Sequence, residues 1–555
     1  MSIDKFTNQQ ALFAEIPSRV SLSTLDPSSK KTQALEVNVW RNHAVEPILE
    51  LAKVFANFGG LGFEFRLSDY DDSFGFTGYQ PADCELIWLE PGTYSDSLER
   101  ESYQQWFLER LQALRRISRA PIIAVSWTTE KFGSPVLDGG PSDLIDTHFV
   151  DLAELATDAG IALLDARTAK FSGSPVNSKL YTLIARELAC RWISGAVLAP
   201  LKAIVLDLDN TLHTGVLGED SATGVTLSAE QKALQSYLKE LSGSGIFLAL
   251  CSRNSEEDVV NLFAQRTDYP LDWDDFAATR VSWNDKATSI KEIAAELRIA
   301  TDAIMFVDDN IGELLEVAGD VPDAHLIHAG EDARITKNAI SYYPGLWRWQ
   351  HSETDFLRVK DLLANKARER LTSESGDQDE YYHSLGARIE LAYDDPEVMP
   401  RCVDLSAKTN QFNLSFSRFS ASDISERTLS EGYSVISIKL ADRLSDSGII
   451  GLIVAASEGT DLLVEEVCLS CRALGRQLED AMLLEALKGI KGIEAFERIQ
   501  FRYARGERNE PALNWLKRVA ACANLDDVGT ISLGREILDD FLPPESVTFK
   551  RGNQL

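Results

Sequence analysis

Apolar residues along this chain fall in short runs that end in polar clusters, and the runs are separated by stretches with a helical repeat. LEVNVW (35–40), FEFRL (63–67), ELIWLE (85–90), IIAVSW (122–127) and IALLD (161–165) predict strands. Each is a short apolar run bounded by polar or turn residues, the pattern of a strand covered on both faces. AVEPILELAKVFANF (44–58), residues 98–119, HFVDLAELATDAG (148–160) and SKLYTLIARELACRWI (178–193) carry the helical period instead. The alternation resumes with the apolar run Ala203–Leu206, a helix over 230–241, IFLALCSRN (246–254), a helix after Lys286 and IMFVDDN (304–310). It changes character after a polar stretch at 342–385, expected to be a helix (TDFLRVKDLLANKARERL) and an acidic linker. There, strand ARIELA (387–392) and helix 396–410 precede three consecutive strands, SVISIKLAD (434–442), GIIGLIVAAS (448–457) and DLLVEEVCLS (461–470). A helix (476–488), strand FERIQFRYA (496–504) and helix 511–522 follow.

Strands alternating with helices imply parallel sheets. Residues 1–34 are expected to be a loose arm, and 35–198 a sheet of the flavodoxin or SGNH-hydrolase type. A serine hydrolase of that kind wants Gly-Asp-Ser after its first strand, where this chain has Trp40, Arg41, Asn42 and His43. A non-catalytic docking domain is therefore expected, with His43 structural.

Chemistry concentrates in KAIVLDLDNTLHTG (202–215). Side chains two apart on a strand share a face, so Asp207 and Asp209 arrive together at the carboxyl end of a strand, where open α/β sheets bind ligands. Two carboxylates there read either as a solvated turn or as a site for Mg²⁺ with a phosphate. Downstream, Ser252 ends a second apolar strand ahead of a helix N-terminus, a favourable place for an anion. Lys286 stands in a first helical turn, where the helix dipole disfavours a cation unless an anion is near. Asp308 and Asp309 end a third strand.

Asp207-x-Asp209-x-Thr211, Ser252, Lys286 and Asp308-Asp309, in this order and at these strand ends, resemble the four motifs of the haloacid dehalogenase (HAD) superfamily over residues 199–341. About 40 residues separate the first two motifs and about 20 the last two, which leaves no room for a cap domain. The resemblance implies that Asp207 attacks phosphorus and Asp209 serves as general acid and base. It implies that Asp207, the Asp209 carbonyl and Asp308 hold Mg²⁺ and that Thr211, Ser252 and Lys286 hold the phosphoryl oxygens. Asp309 and Asn310 are expected to stand behind these groups.

Residues 386–525 follow the order of an N-acetyltransferase-like (GNAT) fold, whose loop after the fourth strand cradles pyrophosphate with backbone N–H groups. Here that loop is Cys471-Arg472-Ala-Leu-Gly475-Arg476-Gln477, with Gln477 where a small residue is usual. Taken together, LDLDNTL (206–212), GVLGED (215–220), ALCSRN (249–254), FVDDN (306–310), KTNQFNLSFSRF (408–419), DRLSDSGIIG (442–451) and SCRALGRQLE (470–479) resemble the FkbH-like family, HAD subfamily IIIC. That family takes 1,3-bisphosphoglycerate, removes phosphate and loads a glyceryl unit onto the phosphopantetheine thiol of an acyl-carrier protein. The resemblance thus implies a Mg²⁺-dependent phosphatase–acyltransferase for polyketide or surface-polysaccharide synthesis. Acyl transfer after phosphate loss calls for a nucleophile, and Cys251 and Cys471 are the candidate thiols, each equally readable as an inert core cysteine. Arg472, Gly475 and Arg476 would be contacts for the carrier arm, or the two arginines solvated charges at a helix start. His213-Thr214 stands where the family usually has Trp-Gly, and Ile311 where it usually has Pro. A phosphatase acting alone and an acyl-CoA-dependent N-acyltransferase with an accessory HAD domain are the alternatives.

Composition narrows the partners. A net charge of −31 argues against nucleic acid and anionic membrane surfaces. Seven dispersed cysteines with no paired zinc frame fit a reducing cytoplasm. The polar N-terminus has no apolar signal-peptide core, and no apolar run is long enough to span a bilayer. Residues 526–555 are expected to extend past the last fold.

Overall fold

The computed structural model describes residues 4–25, 33–134, 144, 146–167, 169, 173–349, 364, 368 and 378–552. They form two compact units, 1–351 and 352–555. Among the described residues, no helix is long and apolar enough to cross a membrane.

The first unit is built on two five-stranded parallel sheets. One contains β1 (Gln33–Arg41), β2 (Leu61–Tyr70), β3 (Cys84–Trp88), β4 (Ile122–Ser126) and β5 (Thr147–Asp151) in the order β2-β1-β3-β4-β5. The other contains β6 (Ala203–Leu206), β7 (Phe247–Ser252), β8 (Phe276–Val281), β9 (Ile304–Asp308) and β10 (His325–His328) in the order β10-β9-β6-β7-β8. β6 and β7 are buried at every position, which is what continuous AIVL and FLALCS runs require when helices cover both faces. The order places β6 centrally, between β7 and β9, so the residues after all three strands meet at one edge. One hydrophobic core runs through both sheets, from Val37 and Phe55 to Leu206 and Val307.

Two expectations are corrected here. The segment 161–165 is not a strand; the fifth strand is Thr147–Asp151, and Leu163 and Asp165 instead bond to the returning chain at Asn177 and Pro175. Nor is the N-terminal segment loose. It forms helices Asp4–Leu12 and Arg19–Ser23, with Phe13 and Leu22 fully buried. The Gln9 amide exchanges hydrogen bonds with the His328 backbone, and Asn338 Nδ2 donates to the Phe13 carbonyl. Among the described residues of this stretch Phe6, Leu12, Phe13 and Leu22 are the buried hydrophobic ones, too few and too unevenly spaced to give a readable period.

At the carboxyl end of β1, His43 is buried, packs edge-on against Trp127 and meets the Ala44 carbonyl through Nδ1. Burial pushes its pKa down to about 4 from 6.5. The folded chain thus keeps His43 neutral while the unfolded chain takes up a proton below pH 6.5, so stability falls as the pH drops through that window. Between pH 7 and pH 5 the loss from this residue is expected to be ~2 kcal/mol. Denaturant unfolding at both pH values should show a smaller acid loss in His43→Gln than in the parent, and equal losses would contradict this.

The second unit carries a seven-stranded mixed sheet. Its strands are β11 (Arg388–Tyr393), β12 (Tyr433–Ala441), β13 (Asp446–Glu458), β14 (Asp461–Leu469), β15 (Arg498–Ala504), β16 (Val528–Gly534) and β17 (Thr548–Arg551), in the order β16-β15-β14-β13-β12-β11-β17. Residues 526–552 are therefore part of the fold, because they supply both edge strands. A helix at Ala421–Leu429, closed by a reciprocal Ser420–Asp423 cap, was also not expected. The polar helix expected over 354–371 lies outside the described residues except at Ala364 and Arg368, both buried.

β14 and β15 pair in parallel only over Asp461–Val464 with Arg498–Phe501, then part. The inner edge of β14 is satisfied by the chain itself. Leu414 N–H donates to the Val467 carbonyl, Leu469 N–H to the Phe412 carbonyl, and Ala504 N–H of β15 to the Leu414 carbonyl. Residues 412–414 thus fill the divergence, and Asn509 locks them by donating from Nδ2 to the Asn413 carbonyl.

Candidate functional site

The strongest chemical cluster lies at the carboxyl ends of β6, β7 and β9. β6 delivers Asp207, and the chain then turns through Asn210, which takes a left-handed φ of 53° that Asn tolerates better than most residues. Asn210 Oδ1 holds the turn by accepting from Gly215 N–H at 3.0 Å. β7 delivers Ser252, and β9 delivers Asp308. Lys286 is the first residue of helix Lys286–Glu296, fixed by Asp285, whose carboxylate accepts from Thr288 N–H.

Lys286 Nζ is nearly buried and donates to Asp207 Oδ1 at 2.5 Å and to the Cys251 carbonyl at 2.6 Å, with Asp308 Oδ2 at 3.3 Å. Burial and the neighbouring Asp308 and Asp309 carboxylates push Asp207 up to about 7, against the pull of the ammonium. Burial by itself would lower Lys286, but the Asp207 and Asp308 carboxylates outweigh it and hold the amine above the ordinary lysine range. The lysine therefore stays charged in a pocket of carboxylates. That resolves its unfavourable place at a helix N-terminus.

Carboxylate oxygens of Asp207, Asp308 and Asp309 all lie within 4.8 Å of one another. A set of three converging carboxylates is what a hard divalent cation such as Mg²⁺ takes, so the residues present fit that ion. Asp309, expected to stand behind the ligands, is part of this cluster. The Asn310 N–H donates to Asp308 Oδ1, and its side chain caps helix Ile311–Asp320.

Asp209 is held apart from the three. Its Oδ1 accepts from Leu217 N–H at 3.0 Å and faces His213 Nε2 at 3.2 Å, while its Oδ2 accepts from Asn254 Nδ2 at 2.9 Å. Burial would raise the carboxyl, but His213, Asn254 and the Leu217 N–H more than offset it and keep it below the usual range. Asn254 also donates to Ser252 Oγ at 2.9 Å. It thereby ties the second and first strand ends together, a role that only its place in the Cys251–Asn254 polar cluster could have suggested.

Thr211 is buried, and its Oγ1 has no partner among the described residues. A buried hydroxyl left unpaired is costly and points to a ligand. Thr211→Val is accordingly expected to leave the fold as stable as before or slightly more so, and to weaken competitive inhibition by inorganic phosphate or vanadate about tenfold. Thr211→Ser should restore it. Equal inhibition constants for all three would remove Thr211 from the site.

Cys251, one of the two expected acylated thiols, stands in a setting that disfavours a thiolate. Only its carbonyl reaches Lys286; the thiol is buried, and burial pushes its pKa up to about 11.

The other predicted group lies in the second unit. Cys471 is partly exposed and Arg472 is buried. Gly475 has a left-handed φ of 83°. Arg476 is fully buried, where it pairs with Asp442 at 2.9 Å and donates to Ser447 Oγ. Arg368 binds the same carboxylate through two nitrogens at 2.9 and 3.0 Å. Arg476 is thus a structural tie between the β12–β13 turn and the loop after β14, rather than a surface contact for a carrier arm. The loop is also largely satisfied from within: Arg472, Ala473 and Leu474 N–H groups bond to Ser470 and Cys471, and Gly475 N–H to the Glu479 carboxylate.

No known family model matches the chain, and no curated protein matches it. Among solved structures, the chain is similar to the N-terminal part of protein BF1531 from Bacteroides fragilis, described as containing a phosphatase domain complexed with Mg. That likeness has 18% identity, covers 59% of this chain and 95% of that one, and has a TM-score of 0.41. A spermidine N-acetyltransferase variant from Vibrio cholerae matches at 12% identity over 27% of this chain and 96% of that one, TM-score 0.21. A hypothetical protein, XCC2798 from Xanthomonas campestris, matches at 18% identity over 26% of this chain and 84% of that one, TM-score 0.19. These scores are too low to establish a shared fold.

Proposed function

We propose that this chain is a Mg²⁺-dependent phosphatase acting through Asp207, and that its second unit passes the acyl group of the same substrate to a carrier-protein thiol. The observation that carries the first half is the Asp207–Asp308–Asp309 cluster gathered round the buried Lys286 ammonium. Asp207 is the nucleophile toward phosphorus; Lys286, Thr211 and Ser252 hold phosphoryl oxygens. Asp209, kept out of the carboxylate cluster by His213, Asn254 and Leu217, exchanges the proton with the leaving oxygen and the incoming water. Asp207, Asp308 and Asp309 would hold Mg²⁺, which screens the repulsion between carboxylate and phosphate when bound.

The acyl half rests on the resemblance and on chemical balance. 1,3-Bisphosphoglycerate carries one phosphate as an acyl anhydride and one as an ester. Attack by Asp207 on the anhydride phosphorus would expel a free carboxylate and discard the activation. Asp207 therefore takes the ester phosphate, while a phosphopantetheine thiolate attacks the acyl carbonyl and expels the second phosphate. Incubation with 1,3-bisphosphoglycerate, Mg²⁺ and a holo-acyl-carrier protein tests both halves. Phosphate release together with a glyceryl mass gain on the carrier is expected. Phosphate release with an unchanged carrier leaves a phosphatase alone, the reading favoured by the self-satisfied loop after β14 and by residues 412–414 filling the β14–β15 divergence. No release from any phosphorylated metabolite would overturn the proposal.

A further inference from the structure

We propose that two copies of this chain associate through the outer edge of β16, paired antiparallel about a twofold axis at Ile531. The two edges of the second unit's sheet are built differently. β17 is four residues long and ends in Lys550 and Arg551, a short charged edge that resists pairing. β16 spans seven residues, VGTISLG, without a charge or a proline, and Val528 is 72% exposed. Such an edge is a template for another strand.

Hydrogen-bond parity says which groups are open. β16 pairs antiparallel with β15, Phe501 opposite Ile531, and the ladder continues at both ends through Arg505 N–H to the Asp527 carbonyl and Arg535 N–H to the Glu497 carbonyl. In an antiparallel pair, hydrogen-bonded positions recur every second residue. Asp527, Gly529, Ile531 and Leu533 therefore direct their backbone groups to β15. Val528, Thr530, Ser532 and Gly534 direct theirs outward, where no partner occurs among the described residues.

A second copy centred on Ile531 meets all of these groups at once. Val528 then bonds to Gly534 of the other copy and Thr530 to Ser532, each pairing repeated by symmetry. The flanks fit the same register: Asp527, with a side chain 90% exposed and Arg505 of its own chain at 3.3 Å, comes opposite Arg535 of the other copy, which its own Asp539 meets at 2.9 Å, so the crossed pairs would extend these two into a network at each end. One position further out the register brings Asp526 toward Glu536, the first residue of helix Glu536–Asp540, where the chain has already turned out of the strand. An edge that is open, uncharged and flanked by opposite charges at equal distances from its centre matches itself. An unrelated strand has no reason to fit it so.

Sedimentation of the full chain over a concentration series tests the proposal, with salt at or above about 0.15 M to screen the acidic surfaces. A reversible dimer is expected at up to about 100 µM, as for a small interface. Thr530→Pro removes an outward N–H and leaves the β15 ladder intact, so it should shift the chain to monomer at unchanged melting temperature. If the proline variant misfolds, paired surface charges serve instead. Thr530→Lys with Ser532→Lys places like charges opposite each other across the axis, whereas Thr530→Lys with Ser532→Glu places opposite charges there. The first pair should dimerise about tenfold more weakly than the second. A monomer at every concentration, or equal dimerisation of the two charge variants, overturns the proposal.

Discussion

Asp207→Asn is expected to reduce Mg²⁺-dependent phosphate release by at least about 10³-fold, because removal of a nucleophile leaves only what binding and the surrounding charges can do. Asn fills the same volume and can still meet Lys286, which keeps Asp308 as its partner at 3.3 Å, so the fold should persist. Two measurements check this together: steady-state phosphate release with saturating Mg²⁺, and a thermal melt of the same sample. A folded Asn variant that turns over within tenfold of the parent would remove Asp207 as the attacking group.

Lys286→Met should have the largest effect on stability of any change in the site. Lys286 and Asp308 are almost entirely buried, and Met leaves Asp207 and Asp308 facing each other in a dry pocket with no cation. Removing one partner of a buried ion pair costs ~3–5 kcal/mol. Part of that is relieved because Asp207, already raised to about 7, takes up a proton more readily once the ammonium is gone. A Mg²⁺ ion held by the three carboxylates would supply the missing charge, and a ligand that binds only the folded state stabilises it. The variant should therefore melt well below the parent in chelator and recover more on addition of Mg²⁺ than the parent gains. Identical melts with and without Mg²⁺ for both proteins would mean the carboxylate cluster holds no divalent ion.

Much of this site could be read from one sequence because its chemistry sits at strand ends. Asp207, Ser252 and Asp308 each close an apolar run, and a parallel sheet brings the ends of neighbouring strands together whatever lies between them in the chain. Lys286 stood out for the opposite reason: a cation in a first helical turn calls for an anion nearby, expected to be a phosphate ligand, and in the fold Asp207 and Asp308 are the anions that meet it. Side-chain partnerships were not legible. That Asn254 joins Asp209 to Ser252, or that His213 faces Asp209, depends on how the chain turns after the strand, and Asn210 in its left-handed conformation sets that turn. Arg476 misled because a basic residue in a loop looks like a phosphate ligand until its buried partner is known, and Asp442 lies on a different turn. In the fold, the edge strands β16 and β17 escaped because edges carry mixed, half-exposed residues with no continuous apolar run. The strand expected at 161–165 failed because apolar residues packed beside a sheet look the same as residues within it.

In the proposed reaction Asp207 forms a covalent bond to phosphorus. Borohydride reduction of the enzyme quenched during turnover of 1,3-bisphosphoglycerate with Mg²⁺ converts an aspartyl phosphate to homoserine, which peptide mass spectrometry locates. Homoserine is expected at position 207, absent without Mg²⁺ and absent in Asp207→Asn. Continued phosphate release with unmodified Asp207 in every quenched sample, or modification at another carboxylate, would contradict it.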